Sequence, residues 1–107
     1  MWLSTNHSGN DLAGVFEFDG DTGYFYLYKQ SAKQDQRIIA AIHIISGMPD
    51  FEEKDIAVRW NSDEEIVGLF IRFRLWAAFN SKTIVKYGGN YKENTLPNVP
   101  PEIMKGF

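Results

Sequence analysis

The sequence predicts a mainly β fold, a single antiparallel β-sheet domain of roughly five or six strands that forms a sandwich or a rolled sheet. Two observations lead to this prediction. Short runs rich in Val, Ile, Phe, Tyr and Trp recur along the chain, and clusters of Gly, Asn, Asp, Ser and Pro separate them. The 107 residues fit one domain over 1–107, and we expect an irregular N-terminus at 1–10 and a proline-containing tail at 95–107.

The first predicted element is a β-hairpin. Two strand-like runs, Ala13–Phe18 and Tyr24–Tyr28, flank the loop Asp19–Gly23. Gly20 and Gly23 can supply the positive φ angles that such loops often need.

The second strand of this hairpin is apolar or aromatic on both faces. Alternation of side chains places Phe25 and Leu27 on one face and Tyr24, Tyr26 and Tyr28 on the other. This pattern indicates a central strand or one that is covered on both sides. Because tyrosine is commonly half-buried, packing beneath a second sheet or a loop is the ordinary explanation of the tyrosine face. The functional explanation is a surface for a partner.

The run Arg37–Ile45 fits two structures. Its apolar residues match a helical stripe, and they also match a strand face formed by Ile38, Ala40, Ile42 and Ile44. The many β-branched isoleucines favour the strand. A helix near 33–45, which would make the fold α+β, stays open as the alternative.

The remaining elements follow in order along the chain. Ile56–Trp60 alternates as a half-buried strand does, with its terminal tryptophan predicted to point into the core. Ile66–Ile71 and Leu75–Phe79 are two strands or one long bent strand, and Thr83–Tyr87 is a candidate for another. Pro101–Lys105 fits one helical turn, because proline is favoured at the first position of a helix.

The charge of the chain argues against nucleic acid as a partner. The net charge is −3, whereas domains that bind nucleic acid usually carry a basic footprint. Residues 50–65 contain seven acidic and two basic residues, a net charge of −5, while residues 66–92 contain five basic residues and no acidic one. Ion pairs between neighbouring strands would explain this split. A surface for a charged partner, or association of identical chains into a homo-oligomer, are the alternatives that it leaves open.

No catalytic, cofactor or metal motif stands out in the sequence. The chain has no cysteine, and its two histidines, His7 and His43, are too few for a usual zinc site. We expect His7 in a mobile terminus and His43 at the edge of the core. Ser46 is predicted on the opposite face from His43, because an odd spacing along a strand changes face. The loop Asp19–Gly23 lacks the further ligands of an EF-hand and is predicted to be a turn.

The chain is expected to act in the cytoplasm. Its N-terminus lacks the basic and apolar regions of a secretory signal. The longest apolar stretches, Ile38–Ile45 and Ile66–Phe79, are too short or too interrupted by charge to span a bilayer. We therefore expect no membrane association.

The segment Phe16–Tyr26 resembles the signature of a family of small bacterial proteins of unknown function. In that family an acidic, aromatic strand enters an Asp-Gly-x-Thr-Gly-Tyr turn, and residues 19–24 read Asp-Gly-Asp-Thr-Gly-Tyr. The resemblance spans roughly residues 13–80. Further landmarks are found at Ala41–Ile44, Arg59–Ser62 and Ala77–Phe79. The resemblance implies a bacterial source and a compact β-rich domain, and it transfers no functional residue because the family has no assigned activity.

The leading functional hypothesis is a non-enzymatic module that binds another protein. Small acidic bacterial proteins rich in β-structure often act in this way, toxin-neutralising immunity proteins among them, which is an analogy at the level of class. The candidate partner surface comprises Tyr24, Tyr26, Tyr28, Arg72 and Arg74. The alternative is a small enzyme that uses carboxylates, or a ligand-binding domain. A concave pocket with convergent polar groups would favour that alternative, and a flat aromatic and charged patch would favour the binding module.

Overall fold

The computed structural model describes residues 1–107 and consists mainly of β-strands. Eight strands form two antiparallel four-stranded sheets, each with its strands in chain order. The first sheet contains β1 (Trp2–Asn6), β2 (Leu12–Phe18), β3 (Thr22–Lys29) and β4 (Ile38–Ser46). The second sheet contains β5 (Ile56–Trp60), β6 (Ile66–Ile71), β7 (Arg74–Asn80) and β8 (Lys86–Gly88). The mainly β prediction is confirmed, with more strands than expected.

The two sheets pack face to face around the main core. Fourteen buried residues from both sheets and the connecting loop form one cluster. Its largest fully buried side chains are Phe16 and Phe25 from the first sheet and Phe79 from the second. Phe25 and Phe79 are in ring contact across the core, with centroids 5.1 Å apart. Burial of this apolar surface is the main stabilising contribution to the sandwich.

A second, smaller core covers the outer face of the second sheet. Five buried residues form it: Ile66, Phe70, Leu75, Ala78 and Val99. The C-terminal tail contributes Val99, and Ile103 and Phe107 pack against the cluster. The tail includes the helix α1 (Pro101–Met104), which begins at proline as predicted. The tail therefore acts as a third layer, and β6 is buried along its whole length.

The predicted hairpin is present, but its loop is shorter than expected. Asp19, Gly20 and Asp21 connect β2 to β3, and Gly20 alone of the two predicted glycines has a positive φ, 103°. Gly23 lies inside β3, where a Cβ would come within 3.2 Å of the Phe16 ring. The role expected for Gly23 was wrong, because it provides space for core packing and not a turn conformation.

The run predicted as either strand or helix forms β4, so the helical alternative near 33–45 is wrong. Only a short 3-10 turn, Gln34–Gln36, precedes the strand. The pairing of β3 with β4 shifts register twice, so that Ile39 and Ile44 are extra residues in β4. Each bulge reverses the alternation of faces. Ile38 is consequently exposed, contrary to the prediction, while Ala40, Ile42 and Ile44 are buried.

Both strands that the sequence did not clearly predict lie at sheet edges. β1 lies within the N-terminal segment that was expected to be irregular and pairs with β2 from Trp2 to Asn6. β8 covers only Lys86–Gly88, which overlaps the candidate run Thr83–Tyr87 at its last two residues, and pairs with β7. Edge strands are paired on one side only, and these two have few apolar residues, so their sequence signal is weak.

Trp60 connects the edges of the two sheets. It is half-buried against the main core, and its indole Nε1 donates a hydrogen bond to the Thr5 carbonyl of β1 at 3.2 Å. The His7 ring packs edge-on against it at 4.9 Å. The N-terminal segment is therefore held by contacts, and His7 does not lie in a free terminus as expected.

Candidate functional site

An aromatic ladder runs across the outer face of the first sheet. The side chains of Tyr24, Tyr26 and Tyr28 form its centre, and their ring centroids lie 5.8 and 5.9 Å apart. Trp2 extends the ladder at one end, 5.9 Å from Tyr28, and His43 extends it at the other, 5.4 Å from Tyr24. Alternation along β3 brings the tyrosines to one face, and the antiparallel pairing of β1 with β2 and of β4 with β3 adds Trp2 and His43 to it.

The aromatic ladder faces away from the second sheet. Phe25 and Leu27, on the opposite face of β3, are fully buried in the main core. The tyrosine rings are half-buried, and their ring contacts are with one another, Trp2 and His43. The covering layer suggested by the sequence is therefore not the second sheet. β3 is nevertheless a central strand, as predicted.

The electrostatic environment of the ladder is acidic around Tyr26 and of mixed charge around Tyr28. Glu17 lies on the same face, directly opposite both Trp2 and Tyr24 in the strand pairing. Burial raises the pKa of Tyr26 above its usual value, and the nearby negative charge of Glu17 raises it further. The same two causes raise the pKa of Tyr28, while the positive charge of Arg37 acts in the opposite direction. Glu17 forms no ion pair within the chain.

The two predicted arginines lie apart from the tyrosines, at the β6–β7 turn of the second sheet. Arg72 is held by the Asp50 carboxylate at 3.2 Å and lies 3.8 Å from that of Asp55. These bonds fasten the turn to the loop before β5. Arg74 begins β7 and has no ion pair. The five residues predicted as one surface therefore belong to two separate regions.

Asp50 is also the centre of a small polar cluster. The Tyr91 hydroxyl donates to Asp50 Oδ1 at 2.7 Å, and Arg72 donates to its other oxygen. The Tyr91 hydrogen bond, with that of Arg72, holds the pKa of Asp50 below its ordinary value. Burial and the hydrogen bond to Asp50 raise the pKa of Tyr91 to about 12. The cluster joins the segment after β8 to the loop before β5, which indicates a structural role.

Ser46 and His43 are neighbours, contrary to the prediction that they lie on opposite faces. The bulge at Ile44 reverses the alternation between them, and His43 Nε2 lies 2.8 Å from Ser46 Oγ. The other ring nitrogen, Nδ1, lies 2.9 Å from Asn90 Oδ1. An amide oxygen only accepts, so Nδ1 donates to Asn90, and in a neutral imidazole Nε2 then accepts from the serine hydroxyl.

This Ser46–His43–Asn90 arrangement has the order of a catalytic triad but lacks its other parts. The amide of Gly47, the residue after the serine, is bonded to the Asp21 carbonyl and cannot serve an oxyanion. None of the five main surface cavities is lined by Ser46 or His43. The hydrogen bonds join the end of β4 to the segment after β8.

The carboxylates do not gather into a metal-binding cluster. No group of three or more His, Cys, Asp or Glu side chains is placed to hold a metal ion. Asp19 Oδ1 accepts from the amides of Asp21 and Thr22, and these bonds lower the pKa of Asp19. Asp11 and Glu64 each accept a serine hydroxyl, from Ser31 and Ser8 respectively. These acids stabilise turns and loop contacts.

Sequence reasoning missed three members of the aromatic face: Trp2, Glu17 and His43. Glu17 could have been found by extending the alternation of the hairpin to β2. Trp2 required the pairing of β1, and the position of His43 depends on a bulge. Neither of these can be read from the local pattern.

The fold and its open face thus define a small β-sandwich with an exposed aromatic surface. The family model for uncharacterised proteins conserved in bacteria, DUF2251, matches residues 1–100, and the chain belongs to this family. The expected membership of an uncharacterised bacterial family is confirmed, while the hairpin as its signature stays a prediction. No curated protein and no solved structure matches the chain. No helix of the structure has the length and apolar character needed to cross a membrane.

Proposed function

We propose that this protein is a non-enzymatic cytoplasmic module that binds a basic protein on the aromatic ladder. The observation that carries the proposal is the continuous row of five rings, from Trp2 to His43, on a sheet face that no other layer covers. Neutralisation of a bacterial toxin by direct binding is one role of this class.

The amino acids of this face suit protein recognition. Tyrosine and tryptophan are enriched at the centres of interfaces, because they offer a large rigid area together with a polar group. Trp2 is 49% exposed even though it is one of the largest side chains in the chain. A shallow cavity of about 280 Å³ lies between Trp2 and Tyr28 and offers a place for one partner side chain.

The charge at the Tyr24 end of the face favours a basic partner, whereas Arg37 lines the cavity at the Tyr28 end. Glu17 has no internal ion pair and lies opposite Tyr24. Asp19 and Asp21 are exposed in the adjoining turn. An arginine of a partner can stack on a tyrosine ring while its guanidinium pairs with a carboxylate. The net charge of −3 would also speed association with a basic protein.

The test compares three immobilised forms of the full chain in a bacterial extract. Wild type and Arg74→Gln should retain the same basic protein, whereas Tyr24→Ser with Tyr26→Ser should lose it. The captured protein, once purified, should bind Glu17→Gln about tenfold more weakly than wild type, as expected for loss of about 1.4 kcal/mol. Salt should slow its association with wild type.

The proposal fails if the captured proteins are the same for all three forms, or if the proteins that the double tyrosine variant no longer captures are predominantly acidic. It also fails if the purified partner binds wild type and Glu17→Gln equally and without dependence on salt. Circular dichroism of each variant verifies that the fold is retained. Arg74→Gln is the matched control, since it changes a residue that lies away from the aromatic ladder.

A further inference from the structure

A second surface of the protein has the properties of a binding groove. A half-open groove of about 370 Å³ lies between the β6–β7 turn and the C-terminal tail. Its apolar side chains include Phe70, Phe73, Leu96 and Met104, and two arginines, Arg59 and Arg74, line it as well. The groove adjoins the outer face of the second sheet, so it is separate from the aromatic ladder.

Phe73 is placed at the rim of this groove at a cost to the fold. Arg72 and Phe73 form the two-residue β6–β7 turn with φ angles of 49° and 69°. Such turns favour Asn and Gly, because a bulky residue is strained in the left-handed region. The Phe73 side chain is 98% exposed and gains almost no packing in return. The requirements of the turn therefore do not explain a phenylalanine at this position.

The two arginines of the groove have no carboxylate partner within the chain. The four ion pairs of the molecule use Lys54, Arg72 and Lys82 as cations. The Arg59 guanidinium lies over the Phe70 ring, 4.9 Å from its centroid, which holds the charge beside apolar surface. Unpaired guanidinium groups beside exposed apolar side chains are complementary to a ligand that combines a carboxylate with an apolar group.

We propose that this groove binds an extended peptide segment of a partner protein in which an apolar side chain stands next to an acidic one. The apolar residue packs against Phe73 and Leu96, and the carboxylate pairs with Arg59 or Arg74. A peptide fits better than an enclosed small molecule, because the groove is open along one side and Leu96 is 78% exposed at its rim. This ligand has the opposite charge to the partner proposed for the aromatic ladder, so the two inferences are independent.

The experiment titrates the full chain with a synthetic peptide of alternating leucine and aspartate, blocked at both ends. A matched peptide carries asparagine in place of aspartate. Calorimetry measures affinity, and the NMR signals of the Leu96 and Met104 methyl groups report the location. We expect the acidic peptide to shift both signals and to bind at least tenfold more tightly than the neutral one.

Variants distinguish a loss of peptide binding at this site from a loss of folded structure. Phe73→Gly relieves the strain of the turn, so this variant should fold at least as well as wild type. Its affinity for the acidic peptide should be about tenfold lower. Arg59→Gln and Arg74→Gln should each lower the affinity for the acidic peptide several-fold. Arg37→Gln, a change outside the groove, should leave this affinity unchanged. Tyr26→Ser should also leave this binding intact, which distinguishes failure of this inference from failure of the proposed function.

Three results would overturn the proposal. Equal affinity for the acidic and neutral peptides would show that the arginines do not pair with the peptide carboxylates. Absence of shifts at Leu96 and Met104 would exclude the groove as the site. Tight binding of octanoate with the same dependence on Phe73 and Arg74, together with weak peptide binding, would identify a site for a small apolar carboxylate instead.

Discussion

The two outer faces of the sandwich differ in whether another layer covers them, although both carry large apolar or aromatic side chains. The outer face of the second sheet, with Phe70 and Leu75, is covered by the C-terminal tail. The outer face of the first sheet, with Tyr24, Tyr26 and Tyr28, has no such cover. Aliphatic and phenylalanine side chains gain by leaving water, whereas tyrosine hydroxyl groups remain compatible with it. The covered face therefore carries aliphatic and phenylalanine side chains, and the uncovered face carries tyrosines.

The tail fits closely where it covers the second sheet. Gly68 of β6 has no side chain, and a Cβ at this position would come within 3.0 Å of the Phe107 ring. The Phe107 ring in turn packs edge-on against Phe70, with centroids 5.1 Å apart. A backbone hydrogen bond from Ser62 to Gly106 fixes the end of the tail. This face behaves as a core, and the aromatic ladder behaves as a surface.

The largest expected effect follows from uncovering the second sheet. Replacing Val99, Ile103 and Phe107 together by alanine should lower the free energy of unfolding by about 4 kcal/mol, because the third layer loses its apolar contacts. Urea unfolding monitored by circular dichroism measures the change. A midpoint close to that of wild type would mean that the tail is not a structural layer, and the contrast between the two faces would disappear.

The polar link between the segment after β8 and the loop before β5 should contribute less. Tyr91→Phe removes the hydrogen bond to Asp50 and should cost about 1.5 kcal/mol near neutral pH. The folded pKa of Tyr91 is about 12 against an ordinary 10.0, so its contribution is present below pH 10 and is lost as the pH rises towards 12.

At low pH, protonation of Asp50 should weaken the same Tyr91–Asp50 link. Its folded pKa is lowered from 3.8, so its contribution is present above that pH and is lost as the pH falls through the folded value. The stability curves of wild type and Tyr91→Phe should therefore converge at both ends of the pH range. A constant difference between the two curves would contradict the assigned hydrogen bond.

A single truncation on the aromatic ladder should have a smaller effect on stability. Tyr24→Ser should lower the free energy of unfolding by about 1 kcal/mol, because the ring is half-exposed and loses only its contacts with Tyr26 and His43. The same urea experiment measures it. A loss as large as that from the tail variant would show that the aromatic ladder is a core element and would contradict the proposal that it is a binding surface.

The smallest expected effect has the opposite sign. Phe73→Gly should raise the free energy of unfolding by about 0.5 kcal/mol, since relief of the left-handed strain exceeds the added flexibility of the unfolded chain. Thermal unfolding at matched conditions measures the difference. If the variant were destabilised instead, the phenylalanine would have a structural role that its exposure does not reveal.

Two elements illustrate how far the local sequence pattern reaches. The alternation of β3 correctly predicted that Phe25 and Leu27 share one face and the tyrosines the other, because side chains along an unbulged strand alternate strictly. The same rule failed in β4 at Ile38 and Ser46. There an extra residue in the pairing with β3 reverses the faces, and no local feature of the isoleucine-rich run marks where the extra residue falls.

The sequence by itself determined the β class, the hairpin and the apolar strands, because these depend on side-chain type and a two-residue period within each segment. Tertiary structure alone decided which faces are covered, where β4 bulges and that Ser46 contacts His43. It also separated Arg72 and Arg74 from the aromatic ladder. These features depend on pairing and packing between segments far apart in the chain, which alternation within one segment does not encode.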